Sequence, residues 1–373
     1  MQDLFIEMLQ VTLGTRDYLS RVPSSDEWVA IYNEAERQAV AGIMVSGLER
    51  LPDNQRPSQV VLLQWIGVCL EIELQNQITT QTCKRVCDRF EMDGFAACVL
   101  KGQSNYRYYP QNMINRRSSG DIDVWVEPSD TTCKHPVKKV IEYVRDRHDM
   151  NGLCWLHTSH VEKNGVPVEV HMRASFMNDP CKNRRFQKHF SNIECFVCRE
   201  VANGVDIPTM KVDEDVIYQM NHLYRHLIDE GVGLRQVIDY YYLLNVWNEK
   251  HSRTKEDTLK IISWLGMGKF AGALMYVLSE VCGMSDKLLL CPAQIKDGEF
   301  LMNEILLSGN FGHGDSRMTA VKGNGYYQAR TNQAKRRFKR NMRFLTSYPG
   351  EVIWEPWTRV SHFVWKKLKL WRF

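Results

Sequence analysis

The chain has 373 residues, of which 44% are hydrophobic and 25% are charged, a composition that excludes collagen-like, low-complexity and wholly disordered proteins. Its length corresponds to about two or three domains with sizeable hydrophobic cores. With 48 basic and 44 acidic residues, the net charge is only +4. Overall charge alone therefore gives no basis for binding a polyanion.

The sequence indicates a cytoplasmic protein. No apolar run approaches the roughly 18 residues that cross a bilayer, and the best candidate, residues 270–284, contains Ser279 and Glu280. The N-terminal residues include Asp3 and Glu7 and lack the basic region of a secretory signal peptide. The eleven cysteines are irregularly spaced, so we expect reduced thiols and not a disulfide framework.

Residues 1–94 have the apolar spacing of helices and form a predicted helical N-terminal region. Ser25, which precedes two acidic residues, is the predicted N-cap of one of these helices. Residues 95–210 form a predicted α/β core with a hairpin turn at Asn164-Gly165. The predicted elements of this core are a helix over residues 134–147 and strands over residues 95–100, 121–126, 154–162 and 166–172.

The rest of the chain is again predicted to be helical. Residues 211–328 form a predicted helical C-terminal domain that includes a Gly-rich loop at 309–315. Residues 329–373 form a basic, Trp-rich segment, because residues 330–373 contain twelve Lys or Arg and only two acids. The chain is therefore predicted to have an α+β fold, in which a short mixed sheet with helices lies between helical N- and C-terminal regions.

Two carboxylates in an apolar segment, residues 121–126, give the strongest indication of chemistry. Alternate side chains of a strand lie on one face, so Asp121 and Asp123 project together, about 7 Å apart. Such a pair is costly to desolvate unless a cation lies between its members. Hard oxygen ligands at this spacing suit Mg²⁺, whereas the alternative interpretation is a solvated edge strand.

A third carboxylate lies in a second short strand, Val168-Glu169-Val170-His171. If this strand is a neighbour of the first, Glu169 completes a metal site, with His171 on the same face. The strand over 95–100 leads into Gly102, a flexible turn where backbone N–H groups can approach phosphate, with Ser104 as an added donor. Arg117 is a candidate bidentate donor to phosphate.

The order of these motifs resembles the nucleotidyltransferase superfamily typified by DNA polymerase β, and it is more closely similar to a bacterial family of uncharacterised nucleotidyltransferases. The resemblance spans roughly residues 25–365. The segments that carry it are residues 100–102, 117–124, 168–171, 222–226, 231–239 and 309–312. One departure is that the usual Gly-Ser turn reads Gly102-Gln103-Ser104, about eighteen residues before Asp121.

The resemblance implies a polymerase-β-like core with a catalytic, metal-binding triad of Asp121, Asp123 and Glu169. The implied nucleotide-binding residues are Lys101, Gly102, Gln103, Ser104, Arg117, Gly120 and Arg235. The resemblance also makes His226 a supporting residue, and Asp239 is a further candidate for that role. His171, beside Glu169, either orients Glu169 or the acceptor or is an ordinary core histidine. For Arg235 and Asp239, four residues apart on one helix, a surface ion pair is the alternative to a role in the cleft.

The implied reaction is metal-dependent transfer of a nucleoside monophosphate from a nucleoside triphosphate, by default ATP, to a hydroxyl of a small molecule or protein. Two Mg²⁺ or Mn²⁺ ions are the expected cofactors, and pyrophosphate is the other product. Asp123→Ala is predicted to abolish transfer and to leave the fold intact, because it removes one of two mutually repelling carboxylates.

Interpretations of another class stay open. The protein could be a non-catalytic nucleotide-binding or scaffold protein of the same fold, although all three carboxylates are present. Residues 330–373 could contact an anionic membrane surface or a protein, with the protein peripheral at the membrane, or could pack their aromatic side chains on the body. They could also bind nucleic acid, which is the least expected of these partners.

Overall fold

The computed structural model of the protein describes residues 2–312, 315, 317 and 326–372. Four helices come before the first strand: α1 (Gln2–Leu13), α2 (Ser25–Arg37), α3 (Ala41–Arg50) and α4 (Gln59–Met92). The N-cap of α2 is Ser24, which forms a reciprocal capping box with Glu27. The predicted cap, Ser25, is wrong by one residue, because the capping box needs its acidic residue three positions after the cap.

Seven strands form one mixed sheet in the order β3-β4-β5-β2-β1-β7-β6. They are β1 (Phe95–Val99), β2 (Ile122–Pro128), β3 (Gly152–Leu153), β4 (His157–Val161), β5 (Pro167–His171), β6 (Val197–Ala202) and β7 (Val205–Met210). Strands β1, β2, β4 and β5 were predicted. The prediction missed β6 and β7, whose turn is Asn203-Gly204 with φ of 51° and 77°, the conformation that favours Asn-Gly in two-residue hairpins.

The remaining regular elements of the described chain are helices, so the predicted α+β fold with helical flanks is confirmed. Within the α/β region these are α5 (Pro136–Arg147) and α6 (Pro180–His189). The C-terminal helices are α7 (Val212–Asp229), α8 (Leu234–Lys250), α9 (Lys255–Trp264), α10 (Gly268–Cys282), α11 (Ile295–Ser308), α12 (Tyr326–Phe344) and α13 (Pro349–Lys367). Residues 313 and 314 of the predicted Gly-rich loop lie outside the described residues. The four-part domain division stays a prediction.

Strand β2 is central in the sheet, between β5 and β1. Ile122 and Val124 on β2 and Val168 and Val170 on β5 are fully buried, and each contributes about 1.5–3 kcal/mol through burial of apolar surface. Because strand side chains alternate, the opposite face of the same two strands is left for polar groups, and this face carries Asp123.

The C-terminal helix α13 combines a buried and an exposed side. Glu351, Val352 and Glu355 are buried, whereas its other side exposes large apolar side chains. The exposed side chains are Ile353, Trp354, Trp357, Val360, Phe363 and Val364. Two other tryptophans, at 365 and 371, pack against the core, so the aromatic side chains of this segment divide between packing and exposure. Among the described residues, no helix has both the length and the apolar character needed to cross a membrane.

Candidate functional site

The sheet brings the three predicted carboxylates together. Strand β2 pairs in parallel with β5, and Asp123 is the register partner of Glu169. Asp121 comes directly before β2, on the same side of the strand as Asp123. One oxygen of each of the three carboxylates lies within 4.8 Å of the others. This spacing allows them to share a divalent cation, since metal–oxygen bonds are about 2.0–2.6 Å long.

The charge of Asp123 dominates the electrostatics of Asp121. The charge of Asp123, followed by burial, raises the pKa of Asp121 to about 6 from its ordinary value of 3.8. Burial also acts to raise the pKa of Asp123, but Lys101 and His171 outweigh it, and this pKa is lowered. A carboxylate that resists ionisation next to an ionised one fits a site for added positive charge, so the residues present fit a divalent metal.

Lys101 supplies one positive charge to the site. Its ammonium Nζ lies 3.0 Å from Asp123 Oδ2. Burial acts to lower the pKa of Lys101, but the three carboxylates outweigh it and raise this pKa, so the lysine is held in its charged form. Lys101 comes just after β1, which pairs with β2, and this pairing carries its ammonium to the carboxylates.

Two histidines join the carboxylates from β4 and β5. His171 Nε2 lies 3.0 Å from Asp123 Oδ1 and 3.5 Å from Glu169 Oε2. His157 Nδ1 lies 3.2 Å from the same Glu169 oxygen, and the two imidazole rings stack with centroids 5.1 Å apart. Burial acts to lower the pKa of His171, but hydrogen bonds to Asp123 and Glu169 outweigh it and raise this pKa.

His157 is a site residue that the sequence analysis missed. The predicted hairpin contained the signal: its turn is centred on Asn164, and residues 157 and 171 lie equally far from it. In an antiparallel hairpin such residues face each other, and the register pairs His157 with His171.

The phosphate turn predicted after β1 is a 3₁₀ helix over Gly102–Tyr108. Gly102 has φ of +64°, a left-handed conformation that favours glycine. Gln103 and Ser104 are both fully buried, and their side-chain polar atoms have no hydrogen-bond partner in the described part of the chain. Gly120 is exposed, with open space where a side chain would stand. The turn therefore combines buried, unpartnered polar groups with an open approach beside Asp121.

Arg117 has a different partner from the predicted phosphate. Its Nε and Nη2 donate to the two oxygens of Asp239 at 2.6 and 2.7 Å, and both side chains are buried. Tyr109 also donates to this carboxylate, at 2.8 Å. Asp239 thus pairs with the distant Arg117 and does not form the i,i+4 ion pair with Arg235 that was the alternative interpretation. A phosphate contact of Arg117 stays a prediction, and phosphate would have to compete with Asp239 for the guanidinium.

Two other predicted residues, the nucleotide-binding candidate Arg235 and the supporting candidate His226, are both buried. Arg235 is buried and donates from Nη1 to the Ser118 carbonyl at 3.0 Å, and burial lowers its pKa to about 10. His226 is buried too, 3.3 Å from Glu230, and burial lowers its pKa to about 4. Asn76 on α4, which the sequence analysis missed, donates to the carbonyls of residues 115 and 117 at 2.6 and 2.7 Å. It thereby fixes the loop that leads into β2.

The Gly-rich segments that were part of the resemblance pack against each other. A Cβ at Gly231 would lie 2.9 Å from the Gly312 backbone N, and a Cβ at Gly233 would lie 2.8 Å from Asn310 Cα. Neither position has room for a side chain. This close approach fixes the start of α8, the helix that carries Arg235 and Asp239.

Comparison with known proteins identifies the family to which the chain belongs. The model of the family described as uncharacterised nucleotidyltransferase matches residues 24–283, more than half of the chain, and the chain therefore belongs to this family. A solved structure of an antigenic nucleotidyltransferase-like protein from Paracoccidioides brasiliensis is similar over 59% of this chain and 94% of that chain, with 8% identity and a TM-score of 0.33. Among proteins with curated annotation, none matches the chain.

Proposed function

We propose that the protein is a divalent-metal-dependent nucleotidyltransferase that transfers a nucleoside monophosphate from a nucleoside triphosphate to a hydroxyl group of an acceptor. The observation that carries this proposal is the meeting of Asp121, Asp123 and Glu169, whose oxygens lie within 4.8 Å of one another. Family membership supports the same reaction class.

Mg²⁺ is the cofactor that the oxygen ligands favour, with Mn²⁺ as the alternative because imidazole nitrogens lie beside the carboxylates. When bound, divalent cations would neutralise the triphosphate and promote ionisation of the acceptor hydroxyl. Asp121 and Asp123 would hold the cations on the triphosphate side, and Glu169 would hold and orient them on the acceptor side. His157 and His171, whose ring nitrogens lie 3.2 and 3.5 Å from Glu169 Oε2, would hold the Glu169 carboxylate in place.

The triphosphate would bind along the turn after β1. Backbone N–H groups at Gly102 and the side chains of Gln103 and Ser104 are its proposed ligands. Both side chains are fully buried and lack hydrogen-bond partners among the described residues, so they would turn towards the phosphate to gain a hydrogen bond. Gly120 leaves room for the nucleotide beside Asp121. Lys101, which pairs with Asp123 at 3.0 Å, would also pair with a phosphate oxygen of the bound nucleotide.

Isothermal titration calorimetry with ATP, GTP, CTP and UTP, each with and without Mg²⁺ or Mn²⁺, tests the proposal. We expect binding that requires the divalent cation and is lost in Asp121→Asn, with Asp286→Asn, an exposed carboxylate, as the matched control. Binding of equal strength without metal, or unchanged binding by Asp121→Asn, would contradict the metal site. The first outcome would favour the non-catalytic nucleotide-binding alternative.

The exposed apolar side of α13 supports a second, peripheral contact with an anionic membrane surface or a protein. Lys366, Lys367 and Lys369 follow its exposed aromatic residues, so apolar and basic groups lie together as in interfacial helices. Co-sedimentation with phosphatidylglycerol vesicles tests the membrane form of this contact. Binding should fall in Trp357→Glu and at high salt, and no binding to such vesicles would leave a protein as the partner.

A further inference from the structure

A pocket of about 200 Å³ lies between the segments that flank β4 and β5 and the helices α6 and α13. Aromatic side chains form much of its lining, and three polar side chains complete it. The lining residues used below are Trp155, Phe176, Trp365, Arg173, Asn183 and Gln187. Apolar walls with a few polar groups are typical of small-molecule sites.

The chain connections place this pocket on the Glu169 side of the site. Trp155 comes two residues before His157, whose Nδ1 is 3.2 Å from Glu169 Oε2. Arg173 comes two residues after His171, whose Nε2 is 3.5 Å from the same oxygen. The pocket wall therefore begins two residues, or about 7 Å of extended chain, from each of the two histidines that contact Glu169, the carboxylate assigned above to the acceptor side.

Arg173 is the charged group of the pocket. Its Nη1 donates to the Trp155 carbonyl at 2.6 Å, which fixes the guanidinium at the pocket wall. No carboxylate of the described residues acts on its pKa, which burial alone lowers. A partly desolvated guanidinium without an acidic partner offers a planar set of donors to a phosphate or carboxylate group.

The remaining polar groups are positioned by backbone contacts. Asn183 Oδ1 accepts from the Met177 N–H at 3.2 Å, and Gln187 Nε2 donates to the Ser175 carbonyl at 2.8 Å. The opposite ends of these amides, Asn183 Nδ2 and Gln187 Oε1, form no hydrogen bond with any part of the chain that the structure describes. They provide one donor and one acceptor for the hydroxyl groups of a ligand.

We propose that this pocket holds the acceptor, and that the acceptor is a small sugar carrying a phosphate or carboxylate group. The anionic group would pair with Arg173, the sugar ring would pack on Trp155 and Trp365, and a hydroxyl would point towards Glu169. A volume of about 200 Å³ has room for one such ring. This inference rests on the proposed nucleotidyltransferase function and names its acceptor class.

The proposed step exchanges a phosphoanhydride bond of the triphosphate for a phosphodiester bond to the acceptor. The acceptor hydroxyl oxygen forms a bond to the α-phosphorus, and the bond from that phosphorus to the bridging oxygen of the β-phosphate breaks. Pyrophosphate leaves with the bond electrons, and the hydroxyl proton passes to Glu169 and from there to water. The product is a sugar joined to a nucleoside monophosphate, and neither oxidant nor reductant is needed.

Saturation-transfer difference NMR of the full chain with glucose 6-phosphate, glucuronate and glucose tests the proposal without requiring turnover. We expect binding of at least one of the two anionic sugars, and the pair shows whether phosphate or carboxylate is preferred. Neutral glucose should bind at least about tenfold more weakly, and Arg173→Gln should weaken binding of the anionic sugar by about ten- to hundredfold. Arg184→Gln, an exposed arginine on α6, is the matched control and should bind like the wild type.

Three results would overturn the proposal: equal binding of glucose, unchanged binding by Arg173→Gln, or no binding of any of the three sugars. If circular dichroism shows that Arg173→Gln is unfolded, Trp365→Ala replaces it, because this variant removes one aromatic wall and should weaken the same binding. Asp121→Asn separates the two claims, since it should lose metal-dependent nucleotide binding and keep sugar binding. Sugar binding without any nucleotide binding by the wild type would contradict the proposed function and not the pocket.

Discussion

Replacing Asp121 by asparagine should make the metal-free protein more stable above pH 6, although it removes a proposed metal ligand. The pKa of Asp121 is raised from 3.8 to about 6, first by the charge of Asp123 and then by burial. Below pH 3.8 the side chain is protonated in both the folded and the unfolded chain, so repulsion does not change the free energy of unfolding. Above pH 6 the side chain is ionised in both, and repulsion lowers the free energy of unfolding by its full amount.

The size of the effect follows from this difference in pKa. About two pH units at 1.36 kcal/mol each correspond to about 3 kcal/mol of lost stability. Because Asp121 is only partly buried, salt and water reduce the cost to between about 1 and 3 kcal/mol. Asparagine keeps the shape and removes the charge, so it should recover this free energy of unfolding at pH 7.5.

Urea unfolding in EDTA, followed by tryptophan fluorescence, measures the difference between wild type and Asp121→Asn. We expect the variant to be more stable at pH 7.5, with the gain decreasing steadily towards about pH 4. Asp286→Asn should show no such gain, because that carboxylate is exposed. Equal stability of Asp121→Asn and wild type at pH 7.5, or a loss, would refute the assignment of repulsion between the two aspartates.

Three further substitutions have distinct expected outcomes. Asp123→Ala should abolish transfer. It should also lower the free energy of unfolding by about 3 kcal/mol in thermal unfolding, because Lys101 and His171 lose a buried partner. An unchanged melting temperature would instead support the expectation from the sequence that the fold stays intact. Asp239→Asn should cost about 3–5 kcal/mol of unfolding free energy, since it leaves a buried guanidinium without its bidentate partner, and a loss below about 1 kcal/mol would contradict this. Gly102→Ala should lower the free energy of unfolding by about 1 kcal/mol, because residue 102 has φ of +64°. It should also weaken triphosphate binding in calorimetry. A variant that binds triphosphate with wild-type affinity would argue against the turn as the phosphate site.

The strand faces on which Asp123 and Glu169 lie could be predicted because they depend on local patterns. Charged residues at alternate positions of short apolar strands mark one face, and the Asn164-Gly165 turn fixes the hairpin beside it. The parallel pairing of β2 and β5 then brings the two marked faces together. The family resemblance supplied the expectation that these two strands are neighbours.

The long-range side-chain pairs could not be read from the sequence in the same way. Arg117 and Asp239 are 122 residues apart, and the only local candidate for Asp239 was Arg235, one helical turn away. Which guanidinium reaches the carboxylate is decided by the packing of α8 against the loop before β2, and no periodic pattern reports that. The position of Asn76 beneath the same loop depends on tertiary packing for the same reason.

The β6–β7 hairpin was missed for a different reason. Its strands contain Pro208 and three charged residues, features that lower strand propensity. Their Asn203-Gly204 turn carried the same signal as Asn164-Gly165 and would have revealed the hairpin. Strand β7 pairs with β1, so the prediction lacked the two strands that lie beyond β1 in the sheet.

The central claim is that the three carboxylates support transfer of a nucleoside monophosphate. Incubating the purified protein and a cell extract with ATP labelled at either the α- or the γ-phosphorus, with Mg²⁺ or Mn²⁺ present, tests it most directly. The account predicts that an acceptor gains only the α-label, that pyrophosphate is released, and that Asp121→Asn does neither. Transfer of the γ-label, or unlabelled acceptors despite metal-dependent ATP binding, would contradict it.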